Sequence, residues 1–81
     1  MKAPVGAFVR LYYDGEALGR GDALRTPTGR TYEVCAVRLQ RRGKRAGRRQ
    51  HLVCLVVQDP HPHARVLPLH WYHRNRRRRP T

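Results

Sequence analysis

Residues 31–57 read TYEVCAVRLQRRGKRAGRRQHLVCLVV, in which two apolar runs flank a basic segment. Both runs are rich in β-branched and aromatic residues, and both are short enough to be strands. The segment between them, residues 41–49, carries six cationic side chains and is interrupted by two glycines. The stretch therefore predicts a long antiparallel β-hairpin with strands over residues 31–40 and 50–58 and a cationic tip.

The sequence before this hairpin predicts two further strands. Residues 5–13 alternate between apolar and other side chains, a pattern typical of a strand with one face on a core. The core-facing residues would be Val5, Ala7, Val9, Leu11 and Tyr13. Residues 23–26 form the second strand, and the Pro and Gly of residues 27–30 predict a tight turn into the central hairpin. The connection over residues 14–22 is long and has turn signals at both ends.

The sequence after the hairpin predicts one more strand and a tail. Residues 59–63 contain two prolines, which lack the amide donors that a central strand requires, so this segment is a loop or an edge. Residues 65–69 are expected to be extended, and Trp71 with one tyrosine is expected to add core volume. The Arg-dense residues 74–81 have little to bury and are expected to be disordered.

Five short strands separated by turn signals predict an all-β domain, and closure into a barrel would remove exposed strand edges. The near-continuous apolar residues of the strand over 50–58 indicate cover on both of its faces. The strand order and the long first connection resemble an SH3-like barrel. We therefore expect a five-stranded SH3-like small barrel over residues 1–73, with an OB-like barrel as the alternative, followed by the tail.

Composition limits the class of function. A chain of 81 residues makes one domain with a small core and leaves little room for a buried catalytic cleft. The 18 Lys and Arg against 5 Asp and Glu give a formal net charge of +13. Self-repulsion of this size favours a polyanion as partner, so nucleic acid is the first expectation, an anionic membrane surface the second and an acidic protein the third. The excess of Arg over Lys suits bidentate phosphate binding, although a GC-rich genome explains it equally well.

The cations are concentrated in the hairpin tip and the C-terminal tail. No acidic residue lies between Val34 and Gln58 to neutralise the tip, which favours phosphate binding over a merely solvated turn. Arg38 and Arg65 would extend the patch if their strands align. The residues predicted to bind nucleic acid are Arg41, Arg42, Lys44, Arg45, Arg48, Arg49, Arg74, Arg76, Arg77 and Arg78.

Two tyrosines and two cysteines have expected positions relative to the core. Tyr12 and Tyr13 point to opposite faces of a strand, so one of them should be exposed, and the exposed tyrosine is the better candidate for stacking on a base. Cys35 and Cys54 lie one in each hairpin strand, almost opposite each other. In a reducing compartment we expect two buried thiols rather than a disulfide.

The remaining polar residues predict neither a metal site nor catalysis. His51 and Cys54 are an odd number of residues apart, which places them on opposite faces of a strand, and the other histidines lack the paired spacing of zinc sites. The five acids are scattered, serine is absent and neither cysteine has a nucleophile signature, so we expect no enzyme and no cofactor. No apolar run approaches about 18 residues, so we expect no membrane span and a cytoplasmic protein. Because nucleic acid ranks above an anionic membrane surface as the partner, we also expect no membrane partner.

The segments GDALRTPTGRTYEV at residues 21–34 and LPLHWY at residues 67–72 resemble small basic proteins of actinobacterial phages and prophages. The resemblance implies a phage origin and no particular activity, since SH3-like barrels of phages include virion connectors as well as binders of nucleic acid or host proteins. The expected function is non-enzymatic nucleic-acid binding in the bacterial host cytoplasm or nucleoid. The alternative is a protein-interaction or virion-assembly module that docks on an acidic host or phage protein.

Overall fold

The computed structural model describes residues 3–69, which contain five strands in one sheet. The strands are β1 (Phe8–Tyr13), β2 (Ala23–Arg25), β3 (Thr31–Leu39), β4 (Gln50–Val57) and β5 (Val66–Pro68). Their order across the sheet is β1-β4-β3-β2-β5, and neighbours are antiparallel except for the parallel pair β2 and β5. The prediction of an all-β fold with five strands and a long central hairpin is confirmed.

The first strand is shorter than predicted. Val5 is 63% exposed instead of facing the core, and Gly6 has a φ of +94°, a conformation that favours glycine. The amide of Ala7 donates to the carbonyl of Pro4 at 3.0 Å, which makes a turn where the apolar alternation had predicted a strand. The strand itself begins at Phe8, and from there Val9, Leu11 and Tyr13 have the predicted inward orientation.

One face of the sheet carries the apolar core, and we call it the inner face. Along β4 the side chains of Leu52, Cys54 and Val56 are buried, whereas their neighbours in the chain are half-buried. The sequence predicted that both faces of this strand are covered. The structure covers the inner face fully and the other face only partly. The buried apolar cluster on that face consists of Tyr13, Leu18, Leu24, Tyr32, Val34, Leu52, Cys54, Val56 and Leu69.

Closure of the sheet into a barrel is not confirmed. β1 and β5 lie at opposite edges of the sheet, and within residues 3–69 no strand pairing joins them. β5 instead extends the sheet beyond β2, where Leu67 lies opposite Leu24. A parallel pairing requires a long connection, and here residues 26–65, which include β3 and β4, separate β2 from β5.

A β-bulge separates the two cysteines. The pairing of β3 with β4 shifts between Val34 and Ala36, so that Val34 lies opposite Cys54 and Cys35 falls in the bulge. Both thiols are free, with Cys54 buried and Cys35 half-buried, so the expectation of two buried thiols holds for Cys54 only. Burial, followed by the charge of Cys35, raises the pKa of Cys54 to about 12, which keeps that thiol protonated and unreactive at neutral pH.

Two side chains distant in sequence, Gln50 at the start of β4 and Arg65 just before β5, hold the connection over residues 14–22. The buried Gln50 accepts a hydrogen bond from the Leu18 amide at 2.8 Å and donates to the Glu16 carbonyl at 3.0 Å. Arg65 donates to the carboxylate of Asp22 at 2.7 Å and to the carbonyl of Ala17 at 2.8 Å. These contacts satisfy polar backbone groups that the irregular chain would otherwise leave unpaired.

Replacement of Leu24 by alanine tests the packing of the inner face. The side chain is fully buried, so Leu24→Ala should lower the free energy of unfolding by about 2–5 kcal/mol through lost burial and a cavity. Leu39→Ala makes the same substitution at a side chain that is 52% exposed and should change stability by no more than about 0.5 kcal/mol. Urea denaturation measures both. Equal effects would contradict the burial of Leu24.

The hydrogen bond between Arg65 and Asp22 predicts a specific pH dependence of the stability. Hydrogen bonds from Arg65, and then from the Gly19 amide, lower the pKa of Asp22 below its ordinary value of 3.8. The carboxylate therefore contributes stability above about pH 3.8 that is lost as the pH falls through the lower folded-state pKa. Unfolding curves of the parent and of Asp22→Asn should differ most near neutral pH and converge at strongly acidic pH. A difference that does not change with pH would exclude this linkage.

Candidate nucleic-acid interface

The basic tip is a folded loop, because its backbone makes several internal hydrogen bonds. The amide of Gln40 donates to the carbonyl of Arg49 at 2.8 Å, and the carbonyl of Gln40 accepts from the amide of Gly47 at 2.8 Å. Gly43 and Gly47 have φ angles of +86° and +73°, which other residues rarely adopt. The amide of Arg49 also donates to the Arg45 carbonyl at 3.0 Å, which gives one helical turn. The two glycines thus shape the loop so that its cations have defined positions.

Four of the six cations in the tip point into solvent. Arg41, Arg42, Lys44 and Arg48 are exposed, and none of them forms an ion pair with an acid in the part of the chain that the structure describes. We call these four residues the exposed loop cations. They agree with the predicted arrangement of a cationic hairpin tip.

The other two cations share one acidic partner, Asp14, contrary to the expectation from the sequence. Arg49 is only 8% exposed, and its Nε and Nη2 donate to the two carboxylate oxygens of Asp14 at 2.9 and 3.0 Å. Arg45 lies 3.8 Å from the same carboxylate. Asp14 is distant in sequence but directly follows Tyr13, which pairs with Gln50 at the start of β4. The hydrogen bond with Asp14 is the main reason that the pKa of Arg49 is raised.

The second face of the sheet, which we call the outer face, carries aromatic and cationic side chains at the hairpin end. Tyr12 lies opposite His51, which in turn lies opposite Arg38. The rings of Tyr12 and His51 have centroids 4.9 Å apart and are tilted by 54°. The guanidinium carbon of Arg49 lies 5.3 Å from the Tyr12 ring centroid, within range of a cation–π interaction.

The adjoining row of the outer face completes a shallow depression. Arg10 lies opposite Val53, which lies opposite Ala36, and these residues together with Tyr12, His51 and Arg38 line one concavity. We call Arg10, Tyr12, Arg38 and His51 the outer-face platform, with Val53 and Ala36 as its floor. Arg10 and Arg38 are exposed, whereas the two rings are half-buried.

Hydrogen bonds connect this platform to the loop. The side-chain nitrogen Nε2 of Gln40 donates to the Arg42 carbonyl at 2.8 Å. This contact orients the side-chain oxygen Oε1 of Gln40 toward Nε2 of His51, at 3.0 Å. Because the Gln40 oxygen can only accept, Nε2 of His51 carries the hydrogen in the neutral imidazole ring. A second concavity, lined by Arg38, Gln40, Arg41, Arg42 and His51, joins the platform to the loop.

The remaining predicted site residues fall elsewhere. Arg38 extends the basic patch as expected, but Arg65 does not, since it binds Asp22 and Glu16 beside the first connection. Arg74, Arg76, Arg77 and Arg78 lie outside the described residues, as do Trp71 and the whole predicted tail. Arg10 and His51 were not among the predicted binding residues. The outward position of Arg10 in the alternation of β1 is the signal that could have identified it.

The alternative of protein docking predicted an exposed apolar patch near the C-terminus. Leu69 is buried and Leu67 packs against the core cluster, so the described part of that patch is not exposed. The large apolar side chains that are exposed in residues 3–69 are Val5, Phe8, Leu39 and Val66.

The histidines and cysteines do not assemble into a metal site within residues 3–69. No group of three or more His, Cys, Asp or Glu side chains comes together there, and His51 and Cys54 lie on opposite faces of β4 as predicted. His61 and His63 are neighbours with ring centroids 5.7 Å apart.

Within residues 3–69, no helix has the length and apolar composition needed to cross a membrane.

The contrast between two adjacent arginines gives a direct test of the Asp14 pair. Arg49→Gln should lower the free energy of unfolding by about 1–3 kcal/mol, because it leaves a largely buried carboxylate without its two-point partner. Arg48→Gln removes the same charge from an exposed side chain and should cost no more than about 0.5 kcal/mol. Urea denaturation at neutral pH separates the two, and equal stabilities would show that the pair does not anchor the loop.

Comparison with known proteins finds no family model, no curated protein and no solved structure that matches the chain. The resemblance to phage proteins therefore remains a prediction, and the candidate interface rests on the geometry of this chain.

Proposed function

We propose that this chain is a non-enzymatic nucleic-acid-binding protein that contacts the phosphate backbone through its hairpin tip. The observation that carries the proposal is the group of exposed loop cations, which the fold presents together on a shaped loop without a neutralising acid among the described residues. Arg38 extends this charge onto the outer face next to the loop. A polyanion is the partner that this arrangement suits best.

The distribution of acids supports the proposal. Asp14 pairs with Arg49 and Arg45 at the base of the loop, and Asp22 and Glu16 pair with Arg65 beside the first connection. These three carboxylates therefore neutralise arginines that stabilise the fold. The cations farther along the tip retain their full charge for a ligand, which concentrates the positive potential there.

The structure also changes which cations should carry affinity. Arg49 is too buried and too well paired to reach a phosphate, so we assign it a positioning role together with Asp14. Arg41, Arg42 and Arg48 offer planar donor forks that match two phosphate oxygens, and Lys44 adds a point charge. We propose that the five arginines of residues 74–79 add further phosphate contacts. Contacts of this kind position a nucleic acid without reading its sequence.

A protein partner is the second candidate, because Phe8 and Val66 expose 67% and 40% of their surface on the outer face. They lie in one cross-strand row with Leu55, Glu33 and Ala23, at a distance from the cationic tip. Solution size and co-purification distinguish this candidate: a stable oligomer or a bound protein, without nucleic-acid absorbance, would favour it.

Paired charge-removal variants test the proposed function. Arg41→Gln with Arg42→Gln removes two exposed loop cations, so the negative slope of log affinity against log salt for duplex DNA should become shallower by about 1.8, at about 0.9 per phosphate contact. The measurement is fluorescence anisotropy with nuclease-treated protein at several salt concentrations.

Arg20→Gln with Arg25→Gln is the matched control, since both side chains are exposed and the net charge changes equally. Arg25 lies opposite Thr31, in a row about 20 Å along β4 from the row of His51 and therefore well away from the tip. This variant should leave the slope nearly unchanged. Absence of binding by the parent protein, or equal losses in the two variants, would overturn the proposed phosphate site.

A further inference from the structure

We propose that the outer-face platform binds unstacked bases, so that the preferred ligand is single-stranded nucleic acid running from the loop onto the sheet. This inference rests on the proposed function, in which the exposed loop cations hold the phosphates. It adds a second site on the same surface, built from Arg10, Tyr12, Arg38 and His51, and it names the form of the polymer.

The aromatic pair supplies the surface for stacking. Tyr12 and His51 are directly opposite each other on β1 and β4, with ring centroids 4.9 Å apart. The cross-strand pairing and the contact of Arg49 with the Tyr12 ring fix the position of the rings before a ligand arrives. Stacking on an aromatic ring is available to every base, which agrees with binding that does not depend on sequence.

Cations flank the rings on two sides. Arg38 lies next to His51 across the sheet, and Arg10 lies two residues from Tyr12 on the same face of β1, about 7 Å along the strand. The floor between them is formed by the small or apolar side chains of Ala36 and Val53. A cationic rim around an apolar, aromatic floor matches a nucleotide, which combines an apolar base face with an anionic phosphate.

The platform and the loop form one continuous path. The concavity that contains Arg41 and Arg42 shares Arg38 and His51 with the platform concavity. The hydrogen bonds of Gln40 to His51 and to the Arg42 carbonyl hold the two parts in a defined relation. A nucleic-acid strand whose phosphates contact the loop therefore continues toward the rings of Tyr12 and His51.

This geometry favours a single strand over a duplex. In a duplex the faces of the bases are covered by their neighbours, so the rings cannot stack on them without base flipping. A duplex can still contact the exposed loop cations through its phosphates. The chain should therefore bind both forms, with an additional contribution from the platform for single strands only.

Tyr12→Leu is the decisive variant, because it removes the ring but keeps an apolar side chain on the strand. Oligo(dT) and oligo(U) of about 15 nucleotides, and a duplex of the same length, serve as probes, since this length covers the site size of small single-strand-binding folds. We expect affinity for both single strands to fall by about 5- to 150-fold, the effect of one lost base–aromatic stack. Affinity for the duplex should stay within about twofold.

Two further variants make the result specific to the platform. Tyr12→Phe keeps the ring and should retain the affinity for single strands. Phe8→Leu removes an exposed aromatic ring from the same face of the same strand, four residues away, in a row that contains Glu33 and no cation. It should leave all affinities unchanged, and circular dichroism confirms that each variant is folded.

Three results would overturn the inference: unchanged single-strand affinity in Tyr12→Leu, an equal loss for the duplex, or an equal loss in Phe8→Leu. The failure of the proposed function looks different, because the parent protein would then bind none of the probes. If the parent binds and only the Arg41 and Arg42 variant weakens binding, the phosphate site stands and the base platform does not.

Discussion

The ion pair between Asp14 and Arg49 is the interaction on which the arrangement of the surface depends. Two hydrogen bonds, at 2.9 and 3.0 Å, join the residue that follows β1 to the residue that precedes β4. Both side chains are largely withdrawn from water, so the pair is less screened than an exposed one, and its two-point geometry restricts the orientation of both partners. Arg49 is thereby held beside the Tyr12 ring, and the base of the hairpin tip is fastened to the edge strand.

This pair divides the loop cations into two groups with different physical roles. Arg49, and to a lesser degree Arg45, use their charge within the fold, whereas the exposed loop cations keep theirs for solvent or a ligand. The same division occurs at the first connection, where Arg65 is committed to Asp22. A small protein with a formal net charge of +13 thus uses three of its five acids where they fasten irregular chain to the sheet. The exposed loop cations are without an acidic partner among the described residues, and the hairpin tip is where we propose that phosphates bind.

The two faces of the sheet differ in composition and burial. The inner face buries the apolar cluster that a chain of this size needs for stability. The outer face is half-covered and carries rings and arginines in cross-strand rows next to the tip. Within residues 3–69 no second strand pairs with β1 besides β4, so Tyr12 and Arg10 lie on an edge strand of the described sheet.

Local properties of the sequence were enough to predict the five strands, both hairpins, the inward Val9, Leu11 and Tyr13, and the cationic tip. Propensity, alternation and turn residues act between neighbours in the chain, so they can be read without knowledge of the fold. Only the tertiary structure decided that Asp14 neutralises Arg49, that Arg65 turns away from the tip, and that Tyr12 meets His51. Those contacts join residues 35 to 49 positions apart, or depend on the register between two strands, and a one-residue shift in register would exchange the two faces of the sheet.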